Sequence, residues 1–360
     1  MNDISIKRRA FQILEMPEEK LILRPSYVSY SRNVFIPLTN VCRNRCSYCG
    51  FRRDIKSSEA YLLAPEEVIS IFKRGRKTGA TEALFTFGEL PELIPEFKEW
   101  LSRLGYTKTV DYLYDLCKLA LEYGLLPHSN PGIISFNDMK KLKSMNASMG
   151  LMLETTAKLK AHRLSPGKAP EVRLQVIENA GKLQIPFTTG LLIGIGETWE
   201  DRVDSLLAIR KLHNQYDNIQ EVIIQNFVPK PGTEMSNQLP PDLETMKRTV
   251  ILARAILPPE IAIQVPPNIF PYSLVKYGAN DFGGISEVTI DYINPEAAWP
   301  MLIELKRLAN GLPLRERLPV YPRFVKRKWY GDETRELVEK LADEEGFRSN
   351  ETQLQFKAGS

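Results

Sequence analysis

The sequence predicts an α/β protein built as a closed (βα)8 barrel of parallel strands, with short helical extensions at both ends. Three observations predict it. Short apolar, strand-like runs alternate with amphipathic, helix-like stretches over most of the chain, the pattern of parallel strands joined by crossover helices. About eight such units fit before residue 310, which favours a barrel over an open sheet. Glycines and polar residues gather just after the apolar runs, where a barrel keeps its active site. The expected division is an N-terminal extension over 1–29, the barrel over 30–295, and a C-terminal helical extension and tail over 296–360.

The elements follow in order. Val34 to Leu38 reads as the first strand, and a cysteine loop follows at once. Pro65 to Lys77 reads as a helix with Val68, Ile69, Ile71 and Phe72 on one side. Ala83 to Phe87 is a short apolar run ending at Gly88-Glu89. Thr109 to Tyr123 carries Leu113, Leu116, Cys117 and Ala120 at core spacing, so Cys117 reads as a small buried hydrophobe. Ser148 to Leu153 reads as a strand ending in Glu154, and Val172 to Leu183 as a helix. Phe187 to Ile195 is a strand running into Gly196-Glu197, and Trp199 to His213 a helix. Val222 to Phe227 is a strand ending in Val228-Pro-Lys-Pro-Gly-Thr233. Leu243 to Leu257 is a helix and Ile261 to Val265 a last short strand. A helix near Asp332 to Glu345 and a loose tail close the chain, with no chemistry assigned to them.

The loop after the first strand reads Cys42-Arg-Asn-Arg-Cys46-Ser-Tyr-Cys49. An iron–sulfur cube usually takes four thiolates, and three leave one iron open to the amine and carboxylate of a small molecule. A structural zinc site would need a fourth ligand, and no histidine lies near in sequence. A disulfide framework belongs to small, cysteine-dense secreted chains, whereas this one has 4 cysteines in 360 residues.

Composition agrees with a cytoplasmic enzyme. Hydrophobic residues make up 43%, enough for a large core. The N-terminus lacks the apolar stretch of a signal peptide, and no run reaches membrane-spanning length. A net charge of +4 makes no case for nucleic acid. The most basic patch, Arg323 to Trp329, reads as solvated surface.

The Cys42-x3-Cys46-x2-Cys49 motif, with Tyr48 before its last cysteine, resembles the signature of the radical S-adenosylmethionine superfamily. Gly88-Glu89 resembles the end of the glycine–glutamate motif whose backbone meets the methionine amino group, although Phe87 stands where a glycine is often found. Gly190-Leu-Leu-Ile-Gly194-Ile-Gly-Glu197 resembles the motif lying against the adenine. By the same resemblance Glu154 meets the ribose hydroxyls, Arg173 the methionine carboxylate, and Val228 belongs to the same cofactor-binding set. Longer stretches narrow the match: Phe85-Thr-Phe-Gly-Glu89, Leu126-Pro-His-Ser-Asn-Pro-Gly132, Leu151-Met-Leu-Glu-Thr-Thr156, Leu164-Ser-Pro-Gly-Lys168, the run Ile185 to Glu197, and Ala279-Asn-Asp-Phe-Gly-Gly284. Together they resemble the CofG subunit family of FO synthase, the deazaflavin-forming enzymes of coenzyme F420 biosynthesis.

That resemblance implies a radical carbon–nitrogen lyase carrying a [4Fe-4S] cluster and using S-adenosylmethionine as cosubstrate. Reductive cleavage would give methionine and a 5′-deoxyadenosyl radical. The radical would take hydrogen from an adduct of a tyrosine-derived hydroxybenzyl group and a ribityl-substituted uracil. Ring closure with loss of ammonia would give FO. A CofH-type partner subunit would supply the adduct, an external donor the electron, and neither nucleic acid nor membrane would take part. His128, in Pro127-His-Ser-Asn-Pro131, is expected at a strand end as proton acceptor, or simply bonded to backbone at a turn. Asn268, Asn280 and Asp281 are candidates for the uracil or ribityl groups, with Gly283 and Gly284 equally able to mark a turn. His162 sits on a loop that would cover the site, and His213 reads as structural at a helix end, where a cation meets the dipole. Two alternatives stay open: a related radical enzyme of menaquinone or biotin type, and a protein that merely holds a cluster for electron transfer. A tRNA-modifying radical enzyme is disfavoured by the lack of an appended basic module.

Overall fold

A computed structural model describes residues 3–17 and 20–349. Its strands are β1 (Val28–Ile36), β2 (Glu82–Thr86), β3 (Leu126–Asn130), β4 (Ser148–Gly150), β5 (Phe187–Ile193), β6 (Ile219–Asn226), β7 (Ala262–Gln264) and β8 (Asp281–Ile285). They pair in chain order, all parallel, and β1 closes the ring against both β8 and β2. The predicted eight-stranded barrel is therefore present. Most strands begin or end one to three residues from the expected positions, and β1 starts six residues earlier. Ser148 to Leu153 is shorter than expected: regular pairing stops at Gly150, and the chain meets β5 again at Glu154, which bridges Leu191 with its backbone in the left-handed region (φ 67°).

The helices α2 (Pro65–Thr78), α3 (Pro95–Arg103), α4 (Thr109–Glu122), α5 (Phe136–Lys143), α6 (Pro170–Lys182), α7 (Trp199–Tyr216) and α8 (Leu243–Ile256) connect the strands around the ring. α2 shows how the sequence sets such an element. Pro65 stands at its start, Glu66 and Glu67 fill its first turn, and Gly79 ends it at φ 79°, each favourable at that position. Its Val68, Ile71 and Phe72 are buried against the sheet. Gly75 lies flush on Val34 of β1, where a Cβ would clash with that side chain. An N-terminal helix (α1, Asp3–Glu15) packs on α7 and α8.

The C-terminal segment is more than a helical extension. A ninth strand (Leu314–Glu316) adds in parallel to Val28–Tyr30, below the point where β2 joins β1 at Asn33. It fills a seam that the short β2 leaves open. The chain then crosses beneath the barrel, where Ser148 and Gln220 donate hydrogen bonds to the Pro319 carbonyl. Leu318, Val320, Tyr321 and Phe324 pack on Leu126, Ala147 and Ala262 at the starts of β3, β4 and β7. This segment plugs the N-terminal end. The expected basic patch lies on the outer side of the plug: Lys326, Arg327 and Lys328 are exposed as expected, Phe324 is buried, and Arg323 and Arg327 both pair with Asp217. The expected helix near Asp332 is shorter, ending at Leu341. Among the described residues no helix is long and apolar enough to cross a membrane.

Candidate active site

One cavity of about 410 Å³ runs from the C-terminal mouth of the barrel down to the plug. The inner faces of barrel strands usually fill with Val, Ile and Leu. Here they present Ser31, Glu82, Thr86, His128, Asn130, Thr188, Glu221, Gln225 and Gln264 instead, and the space stays open.

At the mouth, Cys42, Cys46 and Cys49 are free thiols facing this cavity. The Cys42 sulfur accepts hydrogen bonds from the Asn44 and Glu89 amides at 3.4 and 3.2 Å, and the Cys46 sulfur from the Ser165 hydroxyl at 3.3 Å. Burial pushes the Cys42 thiol up to about 11 and also raises Cys49, so ionising them calls for compensating positive charge, which a metal supplies. Three converging sulfurs with donors already aimed at two of them fit an iron–sulfur cluster held by three ligands. Cys117 is not a fourth. It is fully buried on α4, near Ser129 and Asn146, and burial pushes it up to about 12.

Gly88 and Glu89 clamp the cysteine loop. The Gly88 amide donates to Thr39 O at 2.9 Å and the Arg43 amide to Glu89 O at 3.0 Å. A Cβ at Gly88 would run into the Val41 carbonyl, so the close approach requires glycine. Glu89 Oε1 accepts from Arg43 at 3.0 Å. Its Oε2 is buried with no hydrogen-bond partner, 3.7 Å from Arg173 Nη2. A buried carboxylate oxygen with no hydrogen bond among the described residues, next to the cysteine loop, suits a ligand ammonium.

Glu154 is buried and paired with Lys168. Burial alone would raise its carboxyl, but Lys168 and Arg173 outweigh that and hold it below its ordinary value. Its left-handed backbone is the uncommon kind that clusters at functional sites. Arg173 donates to the carbonyls of Gly167 and Met152 and lines the cavity, as do Tyr48, Gly88 and Val228. Tyr48 also bonds His162 Nε2 at 3.0 Å, which makes His162 a support for the cysteine loop; burial lowers that histidine to about 4.

Several sequence expectations need correction. Glu197 does not face the cavity. Its carboxylate accepts from the amides of Gly194 and Ile195 at 2.8 and 2.9 Å and pairs with Arg202, so it pins the turn after β5. Gly194 takes φ 98° there. Asp281 opens β8 at the plugged end, and Arg317 binds both its oxygens at 2.7 and 2.9 Å. Asn280 accepts from the Ile263 amide and is part of the wall. Gly283 and Gly284 lie within β8 rather than in a turn. Asn268 does line the cavity, held by Asp291 at 2.8 Å. His213 is buried at the end of α7 with its Nε2 3.4 Å from Glu260, a structural position, and burial lowers its basicity.

His128 sits inside β3 rather than at its end. Its Nδ1 lies 2.6 Å from Ser148 Oγ, and that hydroxyl commits its proton to Pro319 O at 2.7 Å. Nδ1 therefore carries the ring proton, and Nε2 keeps a lone pair. Burial lowers the ring to about 4, so it is neutral at physiological pH. Sequence reasoning missed Lys168, Lys230, Glu82, Glu221 and Arg317, all of which line the cavity. Lys168 and Lys230 had a signal, in the quoted runs Leu164-Ser-Pro-Gly-Lys168 and Val228-Pro-Lys-Pro-Gly-Thr233 after strand-like segments.

The family profile of the Radical SAM superfamily matches residues 36–209. The 7,8-didemethyl-8-hydroxy-5-deazariboflavin synthase of Methanococcoides burtonii is 56% identical over 325 residues, covering 90% of this chain and 98% of that protein. The synthase of the same name from Archaeoglobus fulgidus is 56% identical, covering 89% and 98%. Among solved structures, the FeFe-hydrogenase maturase HydG from Carboxydothermus hydrogenoformans superposes with a TM-score of 0.63 at 18% identity, over 99% of this chain and 86% of that one. Methylornithine synthase superposes with a TM-score of 0.59 at 20% identity, over 81% of each, so both likenesses concern the fold. With identity this high across nearly the whole length, this chain belongs to the 7,8-didemethyl-8-hydroxy-5-deazariboflavin synthase family within the radical SAM superfamily.

Proposed function

We propose that this chain is the ring-closing lyase of deazaflavin synthesis. It would convert the hydroxybenzyl–ribityluracil adduct to 7,8-didemethyl-8-hydroxy-5-deazariboflavin with loss of ammonia. The observation that carries the reading is 56% identity over 90% of the chain to a synthase of that name. Cys42, Cys46 and Cys49 would hold the cluster. With S-adenosylmethionine bound, that cluster supplies the electron that generates a primary carbon radical.

The protein's own part is to bind, orient and exclude water. Glu89 Oε2 would take the methionine ammonium, and Arg173 the carboxylate beside it. Glu154, fixed by Lys168, would take the ribose hydroxyls, with Gly88, Tyr48 and Val228 as neighbouring wall. A radical abstracts from whatever lies nearest, so an enclosed cavity with few degrees of freedom raises the useful fraction of events. His128 Nε2 offers a neutral hydrogen-bond acceptor for a substrate N–H or O–H. Its low basicity suits it to guide a proton rather than to keep one.

The reading includes a CofH-type partner that makes the adduct from tyrosine, and a one-electron donor. It also takes the enzyme as cytoplasmic, in keeping with free thiols and a reducing compartment. The barrel over 30–295 would carry the chemistry, and the plug comes from the described part of the C-terminal extension over 296–360; its tail, 350–360, lies outside the described residues. The test is an anaerobic assay with reconstituted cluster, reductant, S-adenosylmethionine and the adduct, following 5′-deoxyadenosine and deazaflavin fluorescence together. Both should appear in the wild type and neither in Cys46→Ala. 5′-Deoxyadenosine without deazaflavin would mean the substrate is wrong.

A further inference from the structure

The lower half of the cavity has no counterpart in the cysteine motif, yet it is built as a site. Ser31, Glu82, Thr188, Glu221, Gln264 and Arg317 line it. Arg317 reaches up from the plug and is spent largely on Asp281, with Glu221 at 3.4 Å from its Nη2. Ser31 donates to Glu82 at 2.6 Å and Thr188 to Glu221 at 2.9 Å. Among the described residues Glu82 makes no ion pair and meets the charge of Arg317 only at longer range.

A second observation points to a ligand. Asn33 stands one step above Ser31 on the inward face of β1, and is 1% exposed. Among the described residues neither its amide nitrogen nor its oxygen has a hydrogen-bond partner. It lies against Gly284, a cavity-lining glycine where a Cβ would strike the Asn33 amide. A buried amide with neither atom satisfied is costly, and it lies on the inward face of β1 between the cavity-lining Ser31 and Phe35, directly behind the cavity-lining Gly284.

These groups discriminate between ligand chemistries. An ammonium only donates, so it would leave the Asn33 N–H unmatched. A carboxylate only accepts, and would meet Glu82 and Glu221. A hydroxyl both donates and accepts, so a chain of hydroxyls can give protons to the two glutamates while accepting from Asn33 and Gln264. We infer that the floor of the barrel, built from Asn33, Glu82, Glu221 and Gln264 and closed by the C-terminal plug, is a polyol subsite that takes the ribityl chain of the substrate. The hydroxybenzyl and uracil rings then lie above it, towards the cysteines. Burial raises both glutamates, Glu221 to about 7, and hydroxyl donors would favour their ionised forms.

This inference rests on the proposed deazaflavin reading and is tested apart from it. The probes are the fluorescent deazaflavin product and its counterpart carrying a methyl group in place of the ribityl chain. Each is titrated into the anaerobic holoenzyme with S-adenosylmethionine present. Wild type should bind the ribityl compound roughly ten- to hundredfold more tightly, the scale of hydrogen bonds to charged groups. In Glu82→Gln that preference should fall roughly tenfold, with the methyl compound's affinity moving less than twofold. Equal binding of the two compounds to wild type overturns the subsite, and so does equal weakening of both by Glu82→Gln. Should Glu82→Gln fail to fold, as judged by a thermal melt, Asn33→Ala carries the same expectation and the same refutation. If neither compound binds wild type and no deazaflavin forms in the assay, the proposed function itself fails.

Discussion

The two ends of the cavity solve the problem of buried charge in opposite ways. At the mouth the two carboxylates nearest the cysteine loop have cations: Glu154 has Lys168, and Glu89 has Arg43 with Arg173 nearby, while Asp291 is satisfied by the amides of Asn268 and Asn294. At the floor three carboxylates, Glu82, Glu221 and Asp281, share one guanidinium. The mouth is thus balanced before any ligand arrives, apart from one oxygen of Glu89. The floor holds acceptors in excess and a wholly unsatisfied amide. Balance suits a site that must hold a charged sulfonium in fixed register, whereas excess acceptors suit a neutral partner rich in hydroxyls. The difference also lies in how each is built. One loop and the strand ends make the mouth, while the floor needs strand starts and a segment from the far end of the chain.

Substitution at the mouth should have the largest effect. Cys46→Ala, like Cys42→Ala or Cys49→Ala, removes one of three ligands. It should abolish 5′-deoxyadenosine formation, by more than about a thousandfold given that the chemistry belongs to the cofactor. Iron content and the reduced-cluster EPR signal should drop with it. Thermal stability of the metal-free protein should barely move. A variant that keeps full 5′-deoxyadenosine output would refute the ligand assignment.

Next comes the floor's single cation. Arg317→Met leaves Asp281 and Glu221 buried without their partner, which should destabilise the fold by about 3–5 kcal/mol, read as a lower urea midpoint. Lys168→Met at the mouth strands only Glu154, in a region open to solvent on one side. It should cost less stability and show instead as a raised KM for S-adenosylmethionine. If the two variants lose equal stability, the contrast between a load-sharing floor and a ligand-facing mouth is gone.

That contrast also decides what the sequence could reveal. The mouth was legible because its chemistry sits in contiguous text. Cys42 to Cys49 carries its own spacing, and Gly88 must be glycine because of one carbonyl, Val41 O. The barrel was legible from periodicity, and Cys117 from its place on an apolar helix face. The floor was not. Glu82 opens an otherwise apolar strand, and Arg317 looks like one more charge in a charged tail. Nothing local says that they line one cavity across more than 200 residues, because that depends on barrel closure and on the ninth strand. Asp281 was misplaced for the same reason: its neighbours Asn280 and Gly283 suggested a loop, while strand pairing to Ser29 sets it at the plugged end. Glu197 resembled a ligand contact because its motif borders the site, yet its carboxylate closes its own turn.

A titration can separate two floor groups of opposite sign. Glu221 is raised to about 7 from about 4.3 unfolded. Between those values the folded chain holds a proton that the unfolded chain releases, so stability falls as pH rises through the window. His128 is lowered to about 4 from about 6.5 unfolded. Its contribution is present above 6.5 and is lost as pH falls towards 4. Each effect is on the order of 3 kcal/mol, and they oppose between about pH 4.3 and 6.5. Glu221→Gln should therefore steepen the loss of stability on acidification relative to wild type, and His128→Gln should flatten it. Urea melts at about pH 5 and pH 7.5 give both differences. Slopes that change in the same direction would contradict this account of the floor.

The smallest expected effect is also the cleanest check on the mouth. Cys117 lies wholly buried on α4, its sulfur 3.6 Å from Ser129 Oγ, and it belongs to the apolar core around α4. Cys117→Ala trims one sulfur from that core and breaks only weak contacts. The loss should be about 1 kcal/mol, at the low end for core truncation. Iron per chain, the EPR signal and the 5′-deoxyadenosine rate should match wild type, since three thiols at the mouth suffice. A fall in iron content would mean that a thiol on an outer helix reaches the cluster. The barrel wall of β2 and β3, which stands between α4 and the cavity, would then have to open.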